Sequence, residues 1–175
     1  TRENSTSKRF NFSVAKLPPE LLTAQNKNDS LIVSWAPYKL NNLKGYRVYY
    51  SVDPELIDWQ VAANENQLTA DMNRISFSGP EEFNIPSGQN EFYIYITAIK
   101  EDGTESSQSD IYSLSKTDTN NPSVLIVDGF DLYGDKGSWS LPQHSFNKFY
   151  FDALSENGDF NISSSSNESV INDEI

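Results

Sequence analysis

Three segments of the chain alternate apolar and polar residues with a period of two, and this pattern limits the possible folds more than any other feature. They are residues 31–35, 45–51 and 91–98. All three are rich in β-branched and aromatic residues, as is typical of strands with one buried face. Polar, turn-forming segments separate them. The sequence therefore predicts an antiparallel β-sandwich of short strands.

The same alternation predicts seven strands and assigns the core face of the clearest three. The predicted strands cover residues 20–25, 30–36, 44–51, 59–63, 73–78, 90–99 and 110–116. Successive side chains of a strand point to opposite faces of its sheet, so every second residue of a run lies on one face. The predicted core residues are Leu31, Val33, Trp35, Tyr46, Val48, Tyr50, Phe92, Ile94, Ile96 and Ala98.

Composition excludes several classes of function. The chain has 175 residues, of which 37% are hydrophobic and 13% aromatic, enough to form a core. Its formal charge of −12 would repel nucleic acid and anionic membrane surfaces, so neither is expected as a partner. The sequence has no cysteine, which rules out disulfides, thiolate catalysis and zinc–thiolate sites. No apolar run approaches the ~20 residues that span a bilayer. We expect no cofactor and no membrane insertion.

Two motifs make residues 17–117 resemble the fibronectin type III family. One is the Leu-x-Val-x-Trp of the second strand, and the other is the Gly-Tyr-x-Val-x-Tyr of the third. Phe92 stands where the family usually has a tyrosine whose hydroxyl bonds to the backbone, a departure from the family pattern. The resemblance implies a seven-stranded immunoglobulin-like sandwich. Such sandwiches serve as spacers or binding modules without chemistry in the core.

A different pattern begins after the sandwich. Residues 123–127 form a continuous apolar run, typical of a strand buried on both faces. A helix is predicted from residue 144 to about 156, followed by a strand at 160–163. The apolar face of this helix is predicted to comprise Phe146, Phe149, Tyr150, Ala153 and Leu154.

This strand–helix–strand order predicts the opening of an α/β domain. We divide the chain into a leader or linker (1–16), the sandwich (17–117), a linker (118–122) and a partial α/β domain (123–175). The last unit resembles the start of a flavodoxin- or amidotransferase-like domain that follows a fibronectin type III module in large secreted bacterial proteins. We expect other domains or chains of the same assembly to complete its sheet.

Candidate binding residues lie on the predicted outer face of the sandwich. They are Arg47, Tyr49, Tyr93 and Tyr95. Aromatic and arginine side chains on a rigid sheet suit sugar stacking or a protein contact. The alternative is that they stabilise the sheet or pack against a neighbouring domain. Trp59 is expected to close the sandwich or stack on carbohydrate, and Trp139 to seal a domain interface or line a pocket.

Metal and catalytic candidates are few. Asp128 and Asp131 follow the apolar run, where ligands bind in open α/β sheets, and paired carboxylates there could hold a divalent cation. His144, the single histidine, could join them. Asp-Gly-Phe-Asp is also ordinary turn chemistry, and no nucleotide-binding or nucleophile-elbow motif is present.

The sequence thus favours a non-catalytic binding or spacer module of a larger secreted or surface-associated bacterial protein, in contact with protein or carbohydrate. The alternative is a fragment of a secreted cell-wall or polysaccharide hydrolase whose catalytic residues lie elsewhere.

Overall fold

A computed structural model describes residues 18–27, 30–78, 82, 90–116, 118–129 and 146–171. The predicted leader, together with Asp131, Trp139 and His144, lies outside these ranges. The described strands are β1 (Leu21–Lys27), β2 (Ser30–Trp35), β3 (Leu43–Ser51), β4 (Gln60–Ala63), β5 (Arg74–Phe77), β6 (Glu91–Lys100), β7 (Tyr112–Ser115), β8 (Ser123–Asp128) and β9 (Asn161–Ser166). The helices are α1 (Phe146–Ser155) and α2 (Asn167–Ile171).

The strands form two sheets, as expected for a β-sandwich. One has the order β4-β3-β6-β7 and the other β5-β2-β1-β9-β8. All pairs are antiparallel except β8 and β9, which are parallel. The predicted strands at 20–116 are all present with small changes at their ends. The prediction of seven strands is too low, because β8 and β9 also belong to the second sheet.

The core between the sheets is the one that the alternation predicted. All ten predicted residues, from Leu31 to Ala98, are buried in one cluster with Leu21, Leu68, Phe77 and Leu114. Trp35 and Tyr46 pack at its centre with their rings 5.1 Å apart. Phe92 is fully buried there as well. The period of two therefore identified both the strands and the faces that they bury.

The predicted boundary between two separate units is wrong. β9 pairs with β1, with Thr23 opposite Ser165 and Ala24 opposite Ser164. The strand–helix–strand order and the parallel pairing of β8 with β9 are present. They continue the sandwich sheet instead of starting a separate α/β domain, because the free edge of β1 offers backbone groups that β9 satisfies. A flavodoxin-like second domain is therefore not supported.

Two details of this C-terminal part also differ from the prediction. In β8, Ile126 is buried but Leu125 and Val127 are exposed, since β8 is an edge strand covered on one face. The helix α1 buries Asn147 and Phe151, whereas most of the predicted apolar face is exposed. The exposed members are Phe146, Phe149, Tyr150 and Ala153.

Polar side chains join the C-terminal part to the sandwich along β7. Asn147 accepts a hydrogen bond from the Ser113 amide at 2.8 Å, and the Ser164 hydroxyl donates to the Ser113 carbonyl at 2.6 Å. The Ser115 hydroxyl accepts from the Ile162 amide at 2.6 Å and donates to the Phe160 carbonyl at 2.7 Å. We call this contact the serine seam. It satisfies backbone groups at the edge of β7 without a further strand.

Candidate binding surface on the four-stranded sheet

A row of side chains crosses the outer face of the four-stranded sheet. Val61 of β4 lies opposite Tyr49 of β3, and Tyr49 lies opposite Tyr95 of β6. Residues opposite one another in antiparallel strands share a face, so these three form one line across three strands. The rings of Tyr49 and Tyr95 stack with centroids 4.6 Å apart. Trp59 meets Tyr95 edge-on at 4.5 Å. We call the three aromatic residues, together with the neighbouring Val61, the aromatic row.

Charged side chains hold one end of the row. The Arg47 guanidinium contacts Glu65 at 2.7 Å and Glu105 at 3.3 Å. The Tyr49 hydroxyl donates to Glu105 at 2.8 Å, and the Thr97 hydroxyl donates to the same oxygen at 2.7 Å. Arg47 also bonds the Tyr49 hydroxyl at 3.3 Å. The network fixes the Tyr49 ring, because its hydroxyl is held from two sides.

Electrostatics of the network follow from these contacts. Bonding by its own backbone amide and by Arg47 lowers the pKa of Glu65 to about 2. Burial raises the pKa of Tyr95, and the nearby Tyr49 and Glu105 raise it further. The phenol of Tyr95 therefore remains neutral at physiological pH. Lys44 also lies 3.4 Å from Glu65, so the surface consists of neutral aromatic rings beside two cations paired with two carboxylates.

The lowered pKa of Glu65 predicts a loss of stability in acid. A carboxyl whose pKa is lower in the folded state stabilises the fold above its unfolded value, and this contribution disappears as the pH falls towards 2. We expect Glu65→Gln to remove about 1 kcal/mol at pH 7 and to have little effect near pH 2. Urea unfolding of both proteins between pH 7 and 2 measures the difference. A difference that grows on acidification would contradict the assignment.

Tyr93, one of the four predicted binding residues, does not belong to this surface. It points away from the sandwich core, as the alternation predicted, but α1 covers it and leaves it 2% exposed. Its ring meets Phe151 at 5.7 Å, and the Lys148 ammonium lies 5.4 Å from the ring centroid. Burial, followed by the charge of Asp152, raises the pKa of its hydroxyl. Tyr93 therefore packs against the helix α1.

Trp59 closes a different cluster from the one expected. Its indole N–H donates to the Leu56 carbonyl at 2.8 Å. Its ring packs at the margin of the second apolar cluster and not in the core between the sheets. This second cluster has its centre at Tyr93, Ile111, Ile126, Phe151 and Ile162. Trp59 therefore links the exposed row to the buried contact of the helix.

Of the metal and catalytic candidates, Asp128 lies within the described ranges. Asp128 ends β8. Burial is the main cause of the raised pKa of Tyr112, and the nearby carboxylate of Asp128 raises it further. Within residues that the structure describes, no group of three or more histidine, cysteine, aspartate or glutamate side chains could hold a metal ion. Among the same residues, no helix is long and apolar enough to cross a membrane.

Three members of the surface were missed by sequence reasoning. Glu65 and Glu105 lie in connections between strands, where no periodicity indicates a direction. Val61 belongs to a strand of only four residues, too short for a clear alternation. Glu65 and Glu105 pair with Arg47 across 18 and 58 positions. No local sequence pattern indicates a pairing over such separations.

Comparisons with known proteins support no assignment of family. No family model matches the sequence, and no curated protein does. The chain resembles part of a spore cortex lytic enzyme from Clostridium perfringens, with 23% identity, a TM-score of 0.43, and coverage of 57% of this chain and 29% of the enzyme. A β-1,2-glucanase from Parabacteroides distasonis has 24% identity and a TM-score of 0.46, with 59% and 13% covered.

A smaller solved protein is similar over nearly its whole length. It is a fibronectin type III-like protein from Clostridium thermocellum, with 16% identity, a TM-score of 0.41, and coverage of 58% of this chain and 96% of that one. This chain spans less than a third of the two enzymes above. At these identities and TM-scores the likeness carries no information about activity.

Proposed function

We propose that the chain is a non-catalytic binding or spacer module of a larger secreted or surface-associated bacterial protein, and that its aromatic row contacts protein or carbohydrate. The observation that carries the proposal is the row itself, Val61–Tyr49–Tyr95 with Trp59 at its side. It is partly exposed and is fixed before any partner arrives. A preorganised aromatic surface loses little conformational freedom on binding.

The arrangement favours contact over chemistry. Arg47 forms ion pairs with both glutamates, so its guanidinium is not available to stabilise negative charge in a reaction. The Tyr95 phenol, with its raised pKa, is a poor general base at neutral pH. What the surface offers a partner is aromatic area with hydroxyl groups at its rim, the combination common in protein and sugar contacts.

Affinity gel electrophoresis tests the carbohydrate part of the proposal. Soluble neutral polysaccharides are cast in the gel, because acidic ones would be repelled by a chain with a charge of −12. Retardation of the unmodified protein is expected, with binding about tenfold weaker for Tyr95→Ala. Tyr150→Ala is the matched control, since Tyr150 is an exposed tyrosine on α1 away from the row.

Two outcomes would contradict this part of the proposal. Equal weakening by both substitutions would mean that the row is not the binding surface. No retardation by any polysaccharide would exclude carbohydrate and leave protein contact through the row. Tyr95→Ala would then be expected to loosen the contact between this module and its flanking domain in the full-length protein, measured by limited proteolysis.

A further inference from the structure

The strand β8 forms the outer edge of the five-stranded sheet. In the described part of the chain no strand pairs with its outer side. Its six residues pair with β9 without a bulge, and they include no proline, glycine or charge before Asp128. Unpaired backbone groups on such a regular strand can template another strand.

The other edges of the two sheets are protected in ways that β8 is not. The serine seam occupies the edge of β7. β5 is four residues long and starts with the charged Arg74. β4 has four residues and pairs with β3 through an irregular register. Short, charged or irregular edges discourage pairing with another chain.

Exposed apolar side chains lie on β8 and on the helix α1 that packs against it. Leu125 and Val127 lie on one face of the strand, and Val127 is 45% exposed. On the other face α1 packs over Ile126 through Phe151. Lys148 and Asp152 mark the flank of α1 towards Tyr93, so Phe146 and Tyr150 lie on the opposite flank. Both of these aromatics are more than 40% exposed.

Charge distinguishes between possible occupants of this edge. In the described ranges 118–129 and 146–171, the acidic residues are Asp118, Asp128, Asp152, Glu156, Asp159 and Glu168, and the single basic residue is Lys148. A second copy would bring the same excess of negative charge against this region. A strand with lysine or arginine at its ends would complement it.

We propose that the outer edge of β8 binds an extended strand of a partner protein, with alternating apolar residues and basic residues at the ends. The partner strand pairs with the backbone of residues 123–128. Its apolar side chains lie beside Leu125 and Val127 on one face and beneath Phe146 and Tyr150 on the other. Main-chain hydrogen bonds then provide affinity, and the two faces provide selectivity. This surface is separate from the aromatic row.

A synthetic peptide tests the proposal. The probe is a fluorescein-labelled peptide of about eight residues, alternating valine and threonine between terminal lysines, long enough to span β8. Fluorescence anisotropy with the unmodified protein should show saturable binding. Methylating alternate backbone amides of the peptide should abolish binding, since it removes main-chain donors and keeps every side chain. Replacing the lysines by glutamate should weaken binding by about tenfold at low salt.

A matched pair of protein variants locates the site. Val127→Lys places a charge on the β8 edge, and Ile57→Lys places one at an exposed apolar residue of the connection before β4, outside both proposed binding surfaces. We expect Val127→Lys to weaken binding by about tenfold and Ile57→Lys by less than about twofold. Circular dichroism checks that both variants fold.

Three results would overturn the proposal. The first is no saturable binding of the lysine-flanked peptide, and the second is binding that survives amide methylation. The third is a dimer of the unmodified protein in sedimentation velocity that Val127→Lys dissociates, since the occupant would then be a second copy. A failure of polysaccharide binding by the aromatic row would leave this proposal unaffected, because the two experiments use different surfaces.

Discussion

Replacing Phe151 by alanine is expected to lower the free energy of unfolding by about 3–5 kcal/mol. Phe151 is fully buried between Tyr93 and the apolar side chains of β8 and β9. Removing its ring leaves a cavity in the cluster that attaches α1 to the sandwich. Urea unfolding followed by circular dichroism measures the change.

Phe149→Ala is the matched control for this experiment. Phe149 lies two residues earlier in the same helix and is 69% exposed, so the same substitution should change stability by less than about 0.5 kcal/mol. Intrinsic helix propensity changes equally in both variants. Equal effects of the two substitutions would show that α1 does not attach through the face that the structure assigns.

Gly45→Ala is expected to destabilise the fold by about 3 kcal/mol. A Cβ at Gly45 would lie 2.2 Å from the Leu68 carbonyl oxygen and 2.9 Å from that of Glu65. Both atoms are backbone, so neither can move aside by a change of rotamer. The Leu68 carbonyl also accepts the Tyr46 amide at 2.8 Å, and relieving the clash would stretch this hydrogen bond. Thermal and urea unfolding measure the loss.

Gly129→Ala provides the control for Gly45. The nearest atoms to a Cβ at Gly129 are 4.0 Å away, an ordinary contact distance. Both changes reduce the freedom of the unfolded chain equally, so their difference reports the clash. A Gly45→Ala protein as stable as Gly129→Ala would contradict the close approach of residues 65–68 to β3.

The core faces of the sandwich were predictable because β2, β3 and β6 place their core residues at every second position. The sequence shows the glycine of the Gly-Tyr-x-Val-x-Tyr motif, but it does not show why this position requires a glycine. It lies in a contact with Leu68, 23 positions later, and only the folded chain brings the two together. Local patterns indicate which side of a strand is apolar, and they carry no information on which distant segment covers it.

The same limit explains the errors in the C-terminal part. Tyr93 points outward as predicted, but its cover comes from Phe151, 58 positions later. The apolar residues of α1 cover more than one face of the helix, so periodicity could not choose between Phe149 and Phe151. Asn147 is buried because it forms hydrogen bonds with Ser113 and Ser164, and a pattern of apolar residues does not reveal such a residue. Of the four predicted binding residues, Arg47, Tyr49 and Tyr95 lie together, half-buried, on the outer face of one sheet, and their role in binding stays a proposal.

The pairing of β1 with β9 has a consequence for the order in which the chain folds. The Ser165 hydroxyl donates to the Leu22 carbonyl across 143 positions, so β1 meets its second neighbour, β9, only after this whole intervening segment has been synthesised. Until then β1 has one open side, exposed to other nascent chains. Contacts between residues so far apart close large loops and slow folding. Among the described strands, the last in the sequence therefore completes the surroundings of the first.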